Sequence, residues 1–125
     1  MPILYLLGFY ALSLSTIASS APPASAFGAL AVGECDRHGF SYDWPSEQQA
    51  KQVAIKHCVE KGDLYCEVVE TVERACAGFA VSGACGPRGW GKGRTRNEAQ
   101  QKAVEICKLN GGEECTLTAW VCDAR

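Results

Sequence analysis

The sequence has few of the residues and motifs from which catalytic and metal-binding sites are usually built. It contains two histidines, no G-x-S-x-G nucleophile motif and no phosphate-binding loop with Walker spacing. No two of its eight cysteines lie as close together as the C-x₂₋₄-C pairs of structural zinc sites. Neither sign of charge is in large excess, since 12 basic residues nearly balance 14 acidic ones and give a net charge of −2. These absences argue against a metal site, a cofactor and a dedicated nucleic-acid or membrane-surface binder.

The N-terminal segment is apolar but short. Residues 3–17 are almost wholly apolar, and Pro22-Pro23 and the small-x-small triplet Ala24-Ser25-Ala26 follow them. A membrane-spanning helix needs roughly 20 apolar residues, so we interpret residues 1–26 as a cleaved signal peptide and 27–125 as one mature domain. No Lys or Arg precedes the apolar run, so the signal is weak or the true start codon lies upstream. We therefore expect a periplasmic or secreted protein without a membrane anchor after cleavage.

The eight cysteines predict a disulfide framework in an oxidising compartment. Two pairs show the same eight-residue step, which favours Cys58–Cys66 and Cys107–Cys115. For the other four we favour Cys76–Cys122, which would join strand ends, and Cys35–Cys85, which would join equivalent positions of a repeat.

The sequence repeats itself at a distance of 49 or 50 residues. The matches include Ala31-Val32 with Ala80-Val81, and Gly39-Phe40 with Gly89-Trp90. Six further residues recur at the same distance. The first copy has Ala50, Gln52, Ala54, Cys58, Gly62 and Cys66, and the second has Ala99, Gln101, Ala103, Cys107, Gly111 and Cys115. The spacing divides the domain into two units, at about 28–77 and 78–125.

Each unit has the sequence pattern of a β-β-α-β element. Ser46 and Thr95 are good helix N-caps, with Gln49 and Glu98 at the third helical position. Small residues then recur at i, i+4 and i+8 on one helix face, and β-branched runs at 67–72 and 116–121 predict the last strands. We predict an α+β fold in which the two repeats form a small, disulfide-stapled antiparallel sheet domain covered by two helices. A pseudo-twofold relation between the units is expected.

These residues resemble the bacterial family called domain of unknown function 4189. The resemblance covers nearly all of residues 28–125, and it rests on Gly28-Ala29-Leu30-Ala31-Val32, the helix ending in Cys58, Cys66-Glu67-Val68-Val69, Cys76-Ala77-Gly78-Phe79-Ala80-Val81, Gly89-Trp90-Gly91 and Trp120-Val121-Cys122. The resemblance implies a small exported domain, and it carries over no catalytic residues. Some members have only the equivalents of Cys58, Cys66, Cys76 and Cys122, which supports pairing these four among themselves.

A catalytic site has three candidates, which are His57, His38 and a set of carboxylates. His57, on the first helix, could be a general base, but a partly buried packing histidine is the better interpretation. His38 falls in a turn before a strand, where a solvated position is expected. Glu67, Glu70 and Glu73 follow one strand and the Glu113-Glu114 pair lies in a turn, so paired carboxylates could serve hydrolysis. A solvent-facing strand edge gives the same pattern, and we lean against an enzyme.

The remaining candidate binding site is a basic and aromatic cluster, Arg88, Trp90, Lys92, Arg94 and Arg96. Arg and Trp often anchor interfaces, and the same mixture could hold a glycan or a polyanion. The alternative is a solvated hairpin with Trp90 turned inward, as expected for Phe40. We predict a protein-binding or accessory module whose partner is another exported protein. The alternatives are a glycan or polyanion binder that uses this cluster, an atypical small hydrolase, and a purely structural envelope protein.

Overall fold

The computed structural model describes Ser13, residues 26–62 and residues 65–123. Nearly all of the predicted signal peptide lies outside these residues, so its cleavage after Ala26 stays a prediction. The elements follow one another as β1 (Phe27–Val32), β2 (His38–Trp44), α1 (Glu47–Val59), β3 (Glu67–Val72), β4 (Ala75–Ser82), β5 (Arg88–Gly93), α2 (Arg96–Leu109) and β6 (Cys115–Asp123). The order β-β-α-β therefore occurs twice, and the predicted α+β fold is confirmed.

The strands form two separate three-stranded antiparallel sheets. The first sheet has the order β2-β1-β3 and the second has the order β5-β4-β6. Because β4 begins at Ala75, the first unit in the structure is residues 27–72 and the second is residues 75–123, and each supplies one whole sheet. Along the central strands β1 and β4, Leu30, Val32, Phe79 and Val81 lie on one face, and the small residues Ala29, Ala31 and Ala80 lie on the other. Each sheet consequently has two faces to bury. One face carries large side chains, and the other carries small residues that allow another element to pack closely.

The larger side chains form a core between the two sheets. This core contains Leu30, Val32 and Val72 from the first sheet and Ala77, Phe79, Val81, Ala119 and Val121 from the second. The small residues face outward, where Ala29 and Ala31 pack on α1 and Ala80 packs on α2. The layers are therefore α1, first sheet, second sheet and α2, which places the helices on opposite outer sides rather than together on one side of a single sheet.

Glycine and alanine bring each helix very close to its sheet. A Cβ atom on Gly39 would lie 2.3 Å from both the Ala54 carbonyl oxygen and the Cys58 amide nitrogen. In the second unit a Cβ on Gly89 would lie 2.2 Å from the Cys107 amide nitrogen. Because real Cβ atoms do not approach so closely, only glycine fits between these strands and helices.

The helix ends are built as the sequence predicts. The Ser46 and Thr95 hydroxyls accept hydrogen bonds from the Gln49 and Glu98 amides, each at 3.2 Å. After the helices, Gly62 and Gly111 adopt φ values of 94° and 99°, which glycine reaches without steric cost.

The eight cysteines form the four expected disulfides. Cys58–Cys66 and Cys107–Cys115 each tie the end of a helix to the beginning of the next strand. Cys76–Cys122 joins directly opposed residues of β4 and β6. Cys35–Cys85 joins the β1–β2 turn to the β4–β5 turn, and of the four it alone links the two units. Four disulfides indicate an oxidising, extracytoplasmic environment. Among the described residues, no helix combines the length and the apolar character needed to cross a membrane.

Candidate binding groove

Arg88 and Trp90, from the predicted basic and aromatic cluster, turn toward the space between the sheets. The Arg88 guanidinium donates hydrogen bonds to the carbonyl oxygens of Gly33 and Cys35, the latter at 3.2 Å. It also lies 5.9 Å from the centre of the Phe79 ring and 5.8 Å from that of Trp90. Arg88 thus connects β5 to the first unit, and half-buried Trp90 packs against the core beside it, as Phe40 does.

The other three residues of the cluster are exposed. Lys92 still shares the inner face of β5 with Arg88 and Trp90, because it alternates with them and pairs with Ala77 of the core. Lys92 is exposed on β5, and Arg94 is exposed in the turn before α2. Arg96 is the first residue of α2, and its guanidinium stacks over the Trp120 ring at 4.3 Å. The structure therefore brings Arg88 and Trp90 together on the inner side of the second sheet and places Arg96 on its outer side.

Both histidines make contacts that position their rings. The Nδ1 atom of His57 donates to the Phe40 carbonyl oxygen at 2.9 Å, and that of His38 donates to the Asp36 carbonyl oxygen at 2.8 Å. The His38 ring also lies 5.9 Å from the Phe79 ring. His57 is exposed on α1 rather than partly buried, while His38 lies at the mouth of a groove.

This groove runs between β2 of the first sheet and β6 of the second. Its volume is about 500 Å³, and it is lined by His38, Phe40 and Tyr42 on one side and by residues 118–122 on the other. At one end the two strands are joined, because the Asp43 amide donates to Asp123 Oδ2 at 2.8 Å. Two large side chains at the groove remain open to solvent, with Tyr42 60% exposed and Trp120 42% exposed.

β6 is an edge strand that borders this groove. It pairs with β4 along its whole length, from Asp123 opposite Ala75 to Cys115 opposite Ser82. Within residues 26–62 and 65–123, no strand pairs with its other side. The main-chain groups of that side therefore face the groove and solvent, and an unpaired strand edge is a site where another chain can form hydrogen bonds.

The equivalent junction in the other half, between β5 and β3, has a different character. In the sequence repeat Tyr42 corresponds to Lys92, and Ala119 corresponds to Glu70. Burial raises the pKa of Glu70 above its ordinary value, and the nearby charges of Lys92 and Lys102 oppose this increase. One junction therefore carries interacting charges, while the β2–β6 junction has apolar and aromatic side chains beside an open groove.

The raised pKa of Glu70 predicts a pH-dependent contribution to stability. The Glu70 carboxyl keeps its proton to higher pH in the folded chain than in the unfolded chain. Its contribution to the free energy of unfolding is therefore fully present at acid pH and is lost as the pH rises through the folded pKa. Glu70→Gln should therefore raise the melting temperature slightly at neutral pH and leave it unchanged in acid. Lys92→Met should raise the pKa of Glu70 further in an NMR titration, whereas Lys108→Met serves as the control. An unchanged pKa in Lys92→Met would contradict this assignment.

Comparison with known families gives one match that covers almost the entire described domain. The family described as "Domain of unknown function (DUF4189)" matches residues 27–122. The chain belongs to this family. No curated protein matches it. A solved structure, the NMR structure of Rv1813c from Mycobacterium tuberculosis, is similar to this DUF4189 domain with a TM-score of 0.52 and 21% identity, over 82% of this chain and 78% of that one. At this identity the similarity concerns the fold alone.

The groove of this DUF4189 domain was not found by sequence reasoning. The sequence pattern does not mark Tyr42 as a site residue, and Trp120 enters the sequence-based predictions only through the family pattern. A signal was present for Trp120, because it alternates with Ala119 and Val121, which face the core, and so had to point away from it. The sequence places its neighbour Arg96 in the basic and aromatic cluster, and the structure shows that it contacts Trp120 rather than Trp90.

Proposed function

We propose that this DUF4189 domain is an exported protein-binding module whose binding site is the groove between β2 and β6. The observation that carries the proposal is an open aromatic groove bordered by an unpaired strand edge in the part of the chain that the structure describes. Exposed Tyr and Trp side chains are typical anchors of protein interfaces, since they bury a large apolar area and keep a polar atom available. The four disulfides support the proposal, because a rigid scaffold loses little conformational entropy on binding.

The geometry gives less support to the other candidate functions. A polyanion or glycan site on the basic and aromatic cluster would need its five residues on one surface, and Arg88 is instead engaged with main-chain carbonyls of the first unit. A hydrolase centred on His57 would need a carboxylate near its ring, and the contact described for its Nδ1 atom is the Phe40 carbonyl. The groove is therefore the better basis for a functional assignment.

Site-specific photocrosslinking tests the proposal. Replacing Tyr42 with p-benzoylphenylalanine should give one dominant adduct when the oxidised mature protein is irradiated with envelope and culture-medium fractions of the source organism. The same replacement at Leu109, which is 77% exposed near the end of α2, is the control and should give no such adduct. Equal labelling from both positions, or none from Tyr42 in a protein with four intact disulfides, would exclude the groove as the site.

A further inference from the structure

The four edge strands of the two sheets differ in how they are protected against pairing with another chain. Proteins usually block an exposed edge with charged side chains, proline, a bulge or a short strand. β3 carries Glu67 and Glu70, β5 carries Arg88 and Lys92, and β2 contains Asp43 with a φ of 65°. β6 has nine residues, and Asp123 at its end is its only charged side chain.

The length of β6 makes the lack of protection more significant. Strands in globular proteins commonly have about 5–6 residues, so β6 offers a longer row of main-chain groups than most edges do. Its sequence contains neither proline nor lysine. Among the described edge strands, β6 is therefore the one best suited to accept a further strand.

The surroundings of β6 indicate what such a strand would carry. Alternate side chains of an added strand point to opposite faces of the sheet. On the inner face they would meet Phe40 and Tyr42 across the groove, which favours apolar residues. On the outer face they would pass Trp120 and the guanidinium of Arg96 above it.

Arg96 supplies the charge selectivity. Within the described residues its guanidinium contacts the Trp120 ring, and no carboxylate forms an ion pair with it. A carboxylate on the outer face of an added strand would accept hydrogen bonds from this guanidinium, whose planar shape matches that of a carboxylate.

We infer that the groove binds an extended segment of the partner protein, which adds a fourth strand to the second sheet along the free edge of β6. The segment alternates apolar residues, which contact Phe40 and Tyr42, with acidic residues, one of which pairs with Arg96. Main-chain hydrogen bonds to β6 provide affinity, and the two rows of side chains provide specificity. This inference rests on the proposed function and specifies the chemistry of the partner.

Peptide binding with charge reversal tests the side-chain part of the inference. The probes are two fluorescein-labelled peptides of about nine residues, matched to a long strand, in which valine alternates with glutamate or with lysine. We expect the oxidised mature protein to bind the glutamate peptide roughly tenfold more tightly, as measured by fluorescence anisotropy. Arg96→Glu should reverse this preference. The variant should fold, because the equivalent first residue of α1 is already an acidic one, Glu47.

Two controls separate local recognition from general charge attraction. Arg94→Glu makes the same change in net charge two residues away, in the turn, and should keep the preference for the glutamate peptide. If Arg94→Glu and Arg96→Glu weaken binding equally, the preference comes from overall charge and the assignment to Arg96 is wrong. Failure of the folded protein to bind the glutamate peptide would overturn the inference as a whole.

The main-chain part of the inference needs its own measurement. A glutamate peptide with alternate amides N-methylated along its bonding edge should lose binding, because those amides can no longer donate to β6. The bound unmodified peptide should slow hydrogen exchange of β6 amides within residues 118–122. Equal binding of the methylated peptide would overturn strand addition. Dimerisation in sedimentation experiments without peptide would also overturn it, because a second copy of this chain would then occupy the edge. If strand addition fails but Tyr42 still crosslinks to a partner, the proposed function is unaffected. If the Tyr42 crosslink is absent as well, the proposed function is also wrong.

Discussion

Gly89→Ala should lower the free energy of unfolding by about 3 kcal/mol or more, the upper part of the range for overpacking a core. The added Cβ would lie 2.2 Å from the Cys107 amide nitrogen and 2.3 Å from the Ala103 carbonyl oxygen. Both are main-chain atoms of α2, so no side-chain rotation can relieve the contact. The helix would have to move away from the sheet, and this would open the alanine-lined interface along its length. Urea or guanidinium unfolding of the oxidised protein measures the effect.

Two other glycines provide comparison variants for this prediction. At Gly78 the nearest atom to an added Cβ, the Ala99 carbonyl oxygen, is 3.1 Å away, so Gly78→Ala requires only a small shift of α2. At Gly62 nothing lies within 4 Å, but φ is +94°, so Gly62→Ala reports backbone strain alone, about 1 kcal/mol. If Gly89→Ala costs no more than Gly62→Ala, the helix does not lie as close to the sheet as described.

Replacing both Cys35 and Cys85 with serine should cost about 4 kcal/mol, because the bridge closes a long loop in the unfolded chain. The two cysteines are 50 residues apart, and they lie in surface turns, so their removal leaves the sheets and the core otherwise unchanged. The expected loss approaches the whole stability of a marginal small domain. Thermal unfolding of the double variant, compared with the parent protein under non-reducing conditions, gives the value.

The short bridge Cys107–Cys115 provides the comparison. Its cysteines are eight residues apart, so the same loop-closure argument predicts a cost of only about 2.5 kcal/mol for that serine pair. Cys107 is fully buried, and the loss of its packing adds to this figure. If removing the long bridge costs no more than the roughly 2.5 kcal/mol expected from closing the short loop, the unfolded chain already holds the two turns together.

Much of the fold could be predicted because its signals are local or repeat at a fixed distance. The caps at Ser46 and Thr95 lie within one turn of the groups they bind, and the stripe of Ala50, Ala54 and Cys58 is a helical pattern. The pairing of Cys58–Cys66 and Cys107–Cys115 followed from the repeated eight-residue step, and that of Cys35–Cys85 followed from equivalent positions in the repeat. Each of these inferences required residues near one another in the sequence, or the same residues twice.

The arrangement of the sheets could not be obtained in this way. Ala29 and Ala31 alternate with Leu30 and Val32, and such a run predicts a doubly buried strand without saying which layer covers each face. The groove was also beyond reach, since it joins strands from different units whose contact, Asp43 with Asp123, spans 80 residues. Arg88 was misleading for a related reason, because its partners Gly33 and Cys35 lie in the other unit.

The position of the Cys35–Cys85 disulfide has a consequence for the durability of the protein outside the cytoplasm. The two halves are connected along the chain by the exposed residues Glu73 and Arg74, an accessible site for a protease that cuts after basic residues. The other three disulfides each lie within one half. A cut after Arg74 would therefore give two fragments that remain covalently joined through the turns at the other end of each hairpin. Such a nicked molecule keeps its mass on a non-reducing gel and keeps both β2 and β6, so a single cleavage would leave the groove assembled.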